Sequence, residues 1–330
     1  MRLFVSFVLG LFCFAHVASA ASAKIGLVLG KGGRDDKSFN ASAYQGAMDA
    51  EKKLAVSVKV IEPSDDTAIE PSMRTFAKKD FDLIIGIGFV MGPIVAKVAK
   101  DFPKIHFAVI DSVVELPNVQ SVMFEEQEGS YLVGALAALT SKTKTVGFIG
   151  GMDIPLIRRF ELGFKSGAQD AVPGTKVLSN YVGTSSESWK NPTKGKELAL
   201  NQFQKKADVI FHAAGASGLG VFDAAEELGK LAIGCDSNQN WVKPGRVLTS
   251  MVKRVDTGVY DAIDAQVKGK FTGGLRTLGV AAGGVDYALD EHNKTAIPAD
   301  ILKKVDALKA KISKKALVVP DYYKTSKTKS

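Results

Sequence analysis

The chain has 330 residues, 46% hydrophobic and 24% charged, with a formal net charge of +8. That length suits about two domains of ~150 residues, and no apolar run in the body of the chain reaches the ~18 residues of a membrane-spanning helix. The charge is local: nine lysines face Asp306 and Asp321 beyond residue 300, Arg2 adds one more, and the remainder is neutral. A basic tail without clustered arginines and aromatics argues against nucleic acid as a partner.

The first twenty residues, MRLFVSFVLGLFCFAHVASA, combine Arg2, an apolar run from Leu3 to Phe14 and a small-residue site at Ala18-Ser19-Ala20. They read as a secretory signal peptide spanning 1–20, which predicts a periplasmic or otherwise extracytoplasmic protein. Phe12 ahead of Cys13 makes a poor lipid-attachment site. Beyond the leader the one cysteine is Cys235, which excludes an intrachain disulfide framework and any multi-cysteine metal site.

Short apolar strands are expected at 24–29, 56–61, 82–86, 106–110, 121–124, 145–150, 176–180, 209–212, 231–234 and 247–251. Amphipathic segments such as ASAYQGAMDAEKKL, MGPIVAKVAKDF, IPLIRRFELGFKSGAQD and LGVFDAAEELGK lie between them. Continuous apolar strands alternating with helices predict an α/β chain with parallel, doubly covered sheets. The pattern restarts at TVGFIGG, so two sheets of five or six strands suit it better than one of ten. The expected first lobe holds 24–125 plus about 254–295, the second 126–253, and 296–330 forms a basic helix and tail. Ligand sites in such sheets lie at the carboxyl ends of the strands.

The loops at those ends carry the chemistry. KGGRDDKSFN, residues 31–40, is a glycine turn after a strand, yet it matches neither a phosphate loop nor a dinucleotide fingerprint. Asp35 and Asp36 stand where an anion would lie. At ~4 Å and an effective dielectric of ~20, each like-charge pair costs about 4 kcal/mol before screening. A phosphate is disfavoured there; an uncharged polar ligand is not.

On spacing alone, Ser38 or Asn40 reads first as a helix cap and Phe39 as a staple to the core. The competing reading makes Phe39 a plate for a flat ring and Asn40 an amide for its edge. Asp111 and Asp236 each follow an apolar strand directly and read equally well as helix caps or as hydrogen-bond acceptors. The stretch FHAAGASGLG, 211–220, is a second glycine turn, with Phe211 ahead of it and backbone amides at Gly215 and Gly218. Phe89 ends another strand, and Lys253 is a donor in the segment returning to the first lobe.

Catalysis finds little support. His106 and His212 sit inside strands, His292 lies in a polar loop, and none pairs with a recognisable nucleophile. No metal-ligand spacing or cofactor motif is present. A nucleoside hydrolase using clustered aspartates around a metal is the rival from a different class.

The segments DDKSFNASAYQG, GIGF, FAVID, GALAALTSKTKTVGFIGGMDIPLIRRFELGFKSGA, VIFHAAGASGLGVFDAA and GCDSNQ together resemble the basic membrane protein family. These are extracytoplasmic substrate-binding proteins of ABC transporters that include purine nucleoside receptors. The resemblance covers nearly all of 24–290 and implies a type I periplasmic-binding-protein fold, two Rossmann-like lobes with a hinge and an interlobe cleft. It implies a monomer that takes a purine nucleoside and hands it to an inner-membrane permease, with no cofactor and no enzymatic step. By matching position, Phe39 and Phe211 would sandwich the base, and Asn40 and Asp111 would meet its edge. Asp236, the 215–218 turn and Lys253 would hold the ribose. Another flat ligand, such as riboflavin, is the alternative within the class.

Overall fold

The computed structural model describes residues 22–325, so the leader at 1–20 and the last residues of the tail lie outside the described residues. The first lobe is built from β1 (Lys24–Val28), α1 (Phe39–Leu54), β2 (Ser57–Ile61), α2 (Ile69–Ala77), β3 (Leu83–Ile87), α3 (Met91–Asp101), β4 (His106–Ile110) and β5 (Val119–Phe124). The chain then crosses into α4 (Glu126–Thr140), β6 (Thr145–Met152), α5 (Pro155–Ala171), β7 (Lys176–Gly183), α6 (Pro192–Gln204), β8 (Val209–Ala213), α7 (Gly218–Glu227), β9 (Leu231–Asp236) and β10 (Val247–Lys253). It returns through α8 (Val255–Val267) and β11 (Gly274–Leu278), crosses again to β12 (Val285–Tyr287), and ends in α9 (Ala299–Ser313) and α10 (Tyr322–Thr325).

Two six-stranded sheets result, in the orders β11-β5-β4-β3-β1-β2 and β12-β10-β9-β8-β6-β7. All pairings are parallel except β10 with β12. Strands such as LIIGI are buried at every residue because helices cover both faces, which is why they read as unbroken apolar runs. The expected strands are present, with ends shifted by up to three residues. β11 and β12 were not among them. They carry Gly274, Arg276 and Asp286, and β11 is mostly exposed at a sheet edge, so neither has an apolar signature.

β12 also corrects the expected lobe boundary. The first lobe does not run on to residue 295, because Val285 and Tyr287 pair with Lys253 and Met251 in the second sheet. The lobes are therefore joined at three places: Phe124 to Glu126, Lys253 to Val255, and Leu278 to Val285. Backbone bonds tie these crossings together, Glu125 N donating to Leu278 O at 3.0 Å and Arg254 N to Gly284 O at 2.9 Å.

Beside the crossings, α4 is buried on nearly every face and lies against α5. Glycines make that approach possible. A Cβ on Gly134 would stand 2.1 Å from Phe164 O, and one on Gly167 would stand 2.0 Å from Tyr131 O. Any side chain there would drive the helices apart.

Candidate functional site

The strand ends of the two sheets face each other, and the third strand of each sheet supplies an aspartate in an equivalent place. Asp111 follows β4 and Asp236 ends β9, each with φ 66°, the left-handed region that Asp tolerates better than most side chains. Such conformations are held by their surroundings and recur at binding sites. Here they turn both carboxylates into the space between the lobes.

That space is a partly enclosed cavity lined by residues of both lobes, the concave setting in which small molecules bind. Its walls are aromatic: Phe39, Phe89, Phe160 and Trp189 line it, with Phe89 and Trp189 edge-to-face at 6.4 Å. Its polar groups are few: Lys31, Asp36, Asn40, Asp66, Asp111, Ser186, Asp236, the backbone at Gly215, and Lys253.

The turn at 31–40 explains its own aspartates. Asp35 is exposed, while Asp36 is buried and holds the start of α1. Its carboxylate accepts from Ser38 N at 2.8 Å, Asn40 N at 2.9 Å, Ala41 N at 3.0 Å and Asn40 Nδ2 at 2.9 Å. The cap is therefore Asp36, correcting the expectation of Ser38 or Asn40. The amides at which a helix N-terminus would bind phosphate are already occupied by this built-in anion. Burial pushes the Asp36 carboxyl up, and the amides it accepts from oppose that shift. Asn40 lines the cavity with its side chain fixed, its Oδ1 accepting from Gly30 N at 2.8 Å.

The floor is a group of buried charges. Lys253 is 1% exposed; its Nζ lies 2.6 Å from Asp111 Oδ2 and 3.0 Å from Glu126 Oε1. It also lies 5.1 Å from the ring centroids of Phe39 and Phe124 and 5.6 Å from that of Phe160. Burial alone would discharge this ammonium, but Asp111, Glu126 and Asp236 outweigh it and hold the group charged. Burial pushes the Asp111 carboxyl up to about 7, with Lys253 opposing and Glu126 adding to the rise. Asp236 is raised by burial as well, again against Lys253. Asp111 Oδ1 is buried with no hydrogen-bond partner among the described residues. Buried acceptors are nearly always paired, so this oxygen is a vacant acceptor on a residue that lines an aromatic cavity.

The lobes meet around this site. Ser38 Oγ donates to Asp236 Oδ2 at 2.6 Å, and Ser237 Oγ donates to Ser38 O at 2.8 Å. At the mouth, Lys31 pairs with Glu187 at 2.8 Å and Ser186 Oγ donates to Asp66 Oδ2 at 2.6 Å.

Of the ten residues expected at the site, Asp36, Phe39, Asn40, Phe89, Asp111, Gly215, Asp236 and Lys253 line the cavity. Two do not. Phe211 is fully buried in the second lobe, its ring 5.3 Å from Phe164 and 5.7 Å from Phe148. It lies mid-strand in β8, where its side chain faces the helix layer and not the strand ends. Gly218 opens α7 and makes room for the His212 ring; a Cβ there would stand 2.1 Å from it. Trp189 and Phe160 line the cavity and Glu126 lies behind it against Lys253; none of the three was expected. Phe160 lies inside the RRFELGF stretch, but Trp189 ends a single 3-10 turn at 186–189, too short to leave a periodic signal. Among the described residues, no group of three or more His, Cys, Asp and Glu is placed to hold a metal ion, and no helix is long and apolar enough to cross a membrane.

Comparison with known proteins agrees with this fold. The family model described as ABC transporter substrate-binding protein PnrA-like matches residues 23–322, and the chain belongs to that family. It is 32% identical to the ABC transporter nucleoside-binding protein BmpA of Lactococcus lactis subsp. cremoris, over 91% of this chain and 93% of the relative. It is 31% identical to basic membrane protein A of Borreliella afzelii, over 90% of this chain and 91% of the relative. Among solved structures, an ABC transporter solute-binding protein from Aeropyrum pernix K1 superposes with a TM-score of 0.82 at 29% identity, covering 90% of this chain and 94% of that one. The fold is that of the two-lobed periplasmic binding proteins of ABC transporters.

Proposed function

We propose that this member of the PnrA-like substrate-binding family captures a purine nucleoside between its lobes and delivers it to a membrane permease on the extracytoplasmic side. The observation that carries the reading is the unpartnered Oδ1 of Asp111 in an aromatic cavity whose helix N-terminus is already filled by Asp36. An acceptor in that place suits a ring N–H, as at N1 of inosine or guanosine. The aromatic wall of Phe39, Phe89, Phe160 and Trp189 suits the base. Lys253 and Asp236 are a donor and an acceptor within reach of a pair of sugar hydroxyls.

The mechanism is capture by closure. In the open protein, Ser38 and Asp236 lie on separate lobes, and Lys253 and Glu126 sit where two of the crossings meet. Ligand bridging Asp111 from one lobe and Asp236 from the other adds contacts available only when the lobes are together, so it shifts the population towards the closed form. A permease that engages the closed form then receives loaded protein in preference to empty protein. No bond in the ligand is broken.

The test is calorimetric titration of refolded, ligand-stripped protein with inosine, guanosine, adenosine, riboflavin and GMP. Saturable inosine or guanosine binding, with intact nucleoside recovered and GMP much weaker, is expected. Riboflavin binding without nucleoside binding overturns the ligand, and release of free base overturns the receptor reading in favour of a hydrolase.

A further inference from the structure

The buried charges do not stop at Lys253. Arg159, on α5, donates through Nη1 to Glu126 Oε2 at 2.6 Å and to Phe124 O at 2.7 Å. The carboxylate that faces Lys253 with one oxygen therefore holds Arg159 with the other. The far side of the guanidinium meets Asp321, with Nε 2.9 Å from Oδ1 and Nη2 3.4 Å from Oδ2. The Tyr323 ring covers its face at 4.7 Å.

Asp321 lies in the segment that follows α9. Val319 of that segment is packed into the core, and Asp321 Oδ1 also accepts from Tyr323 N at 3.0 Å. Asp111, Lys253, Glu126, Arg159 and Asp321 thus form a row of alternating charges, none more than 9% exposed. One end faces the ligand cavity. The other is a segment outside both sheets.

A buried cation needs its charge balanced nearby. With Asp321 in place, Arg159 has two carboxylates, and Glu126 holds Arg159 at 2.6 Å through one oxygen while the other stays 3.0 Å from Lys253. Without it, Arg159 has Glu126 alone, and Glu126 is drawn off Lys253. Lys253 is then left to Asp111, the carboxylate the ligand must use. We propose that Asp321 is a positioning residue of the ligand site, acting through Arg159 and Glu126 to set the Lys253–Asp111 pair, so that docking of the 314–325 segment and ligand binding are coupled. The idea rests on the cleft being the ligand site. Coupling of this kind is reciprocal: ligand must hold the segment as firmly as the segment holds ligand affinity.

The experiment uses Asp321→Asn, which keeps the shape and one acceptor but removes the charge, beside Asp321→Glu and a charge control, Asp286→Asn, whose carboxylate pairs with Lys309 outside the row. Inosine affinity should fall about tenfold in D321N, recover mostly in D321E and stay unchanged in D286N. The Asp111 carboxyl, followed by 13C NMR, should titrate lower in D321N, because a Lys253 left to Asp111 alone favours its ionised form. The other groups facing it are the same in every variant: Lys253, Glu126 and Asp236, and behind them Asp36, Arg159 and Tyr323. Wild-type affinity with an unmoved midpoint in folded D321N overturns the proposal, as does an equal loss in D321E and D321N. Hydrogen exchange on the wild-type protein needs no variant: amides at 319–325 should slow on inosine binding, and unchanged exchange also overturns it. If wild-type protein binds no inosine, the nucleoside reading fails on its own, and the Asp111 titration in D321N still decides this one.

Discussion

Ser38 Oγ and Asp236 Oδ2 are 2.6 Å apart, both buried, and belong to opposite lobes. A bond between lobes that part and close, as proposed above, contributes to the closed state and nothing to the open one. Ser38→Ala should therefore weaken nucleoside binding by about 1 kcal/mol, roughly fivefold, the net worth of one such bond. Most of the change should appear as faster dissociation, since the contact forms after capture. Thermal stability of the ligand-free protein should barely move. Unchanged dissociation measured by stopped flow would show that the pair does not latch the lobes.

The contacts at the mouth should behave differently. Lys31 and Glu187 form an ion pair whose carboxylate side is largely exposed. Exposed pairs of this type contribute little and are screened by salt. Glu187→Gln should raise the dissociation rate less than Ser38→Ala does, and the difference from wild type should vanish at high ionic strength. A large, salt-independent effect would mean that the 186–189 turn does more than guard the entrance.

Phe39 and Phe211 separate binding from stability. Phe39 is half-buried against the cavity with Lys253 over its ring, so Phe39→Ala should cost ~1–3 kcal/mol of nucleoside affinity through lost stacking and cation–π contact. Phe211 is packed between Phe148 and Phe164. Phe211→Ala should cost ~3–5 kcal/mol of folding stability, read as a drop in the urea midpoint. The protein that remains folded should keep near-normal affinity. Reversed results would restore Phe211 to the ligand.

The contrast between these two residues also marks what the sequence made legible. The strands and their parallel order followed from unbroken apolar runs, and aspartates placed just after such runs, Asp111 and Asp236, fell at the strand ends of opposing sheets. Phe211 was misplaced because one residue of register along β8 decides between core and cleft, and glycine-rich flanks do not fix that register. β11 and β12 escaped because edge strands need no apolar face. Trp189 and the Glu126–Arg159–Asp321 row were beyond reach for another reason: they are assembled from segments 33 to 195 positions apart, and no local pattern marks a contact of that range.

The pH dependence of folding tests the floor of the site. The Asp111 carboxyl sits at about 7 in the folded protein against an ordinary 3.8, because burial outweighs Lys253. A raised acid means that the folded state keeps a proton the unfolded chain has already lost. That proton's contribution to stability is full below pH 3.8 and is lost as pH rises through about 7. Asp111→Asn mimics the protonated form at every pH. The stability of wild type minus that of D111N should fall between pH 4 and 7 by about 4 kcal/mol, then level off. Taking the difference cancels Asp36 and Glu128, which are raised in the same direction, while Asp236, which faces Asp111, titrates with it. A flat difference across pH 4–7 would place Asp111 in the ordinary carboxylate range. Binding should show the opposite slope. A ring N–H donating to Oδ1 needs the ionised acceptor, so inosine affinity should rise through pH 7 with release of a proton. Calorimetry in buffers of different ionisation enthalpy measures that proton directly; no release near pH 6.5 would remove Asp111 from contact with the base.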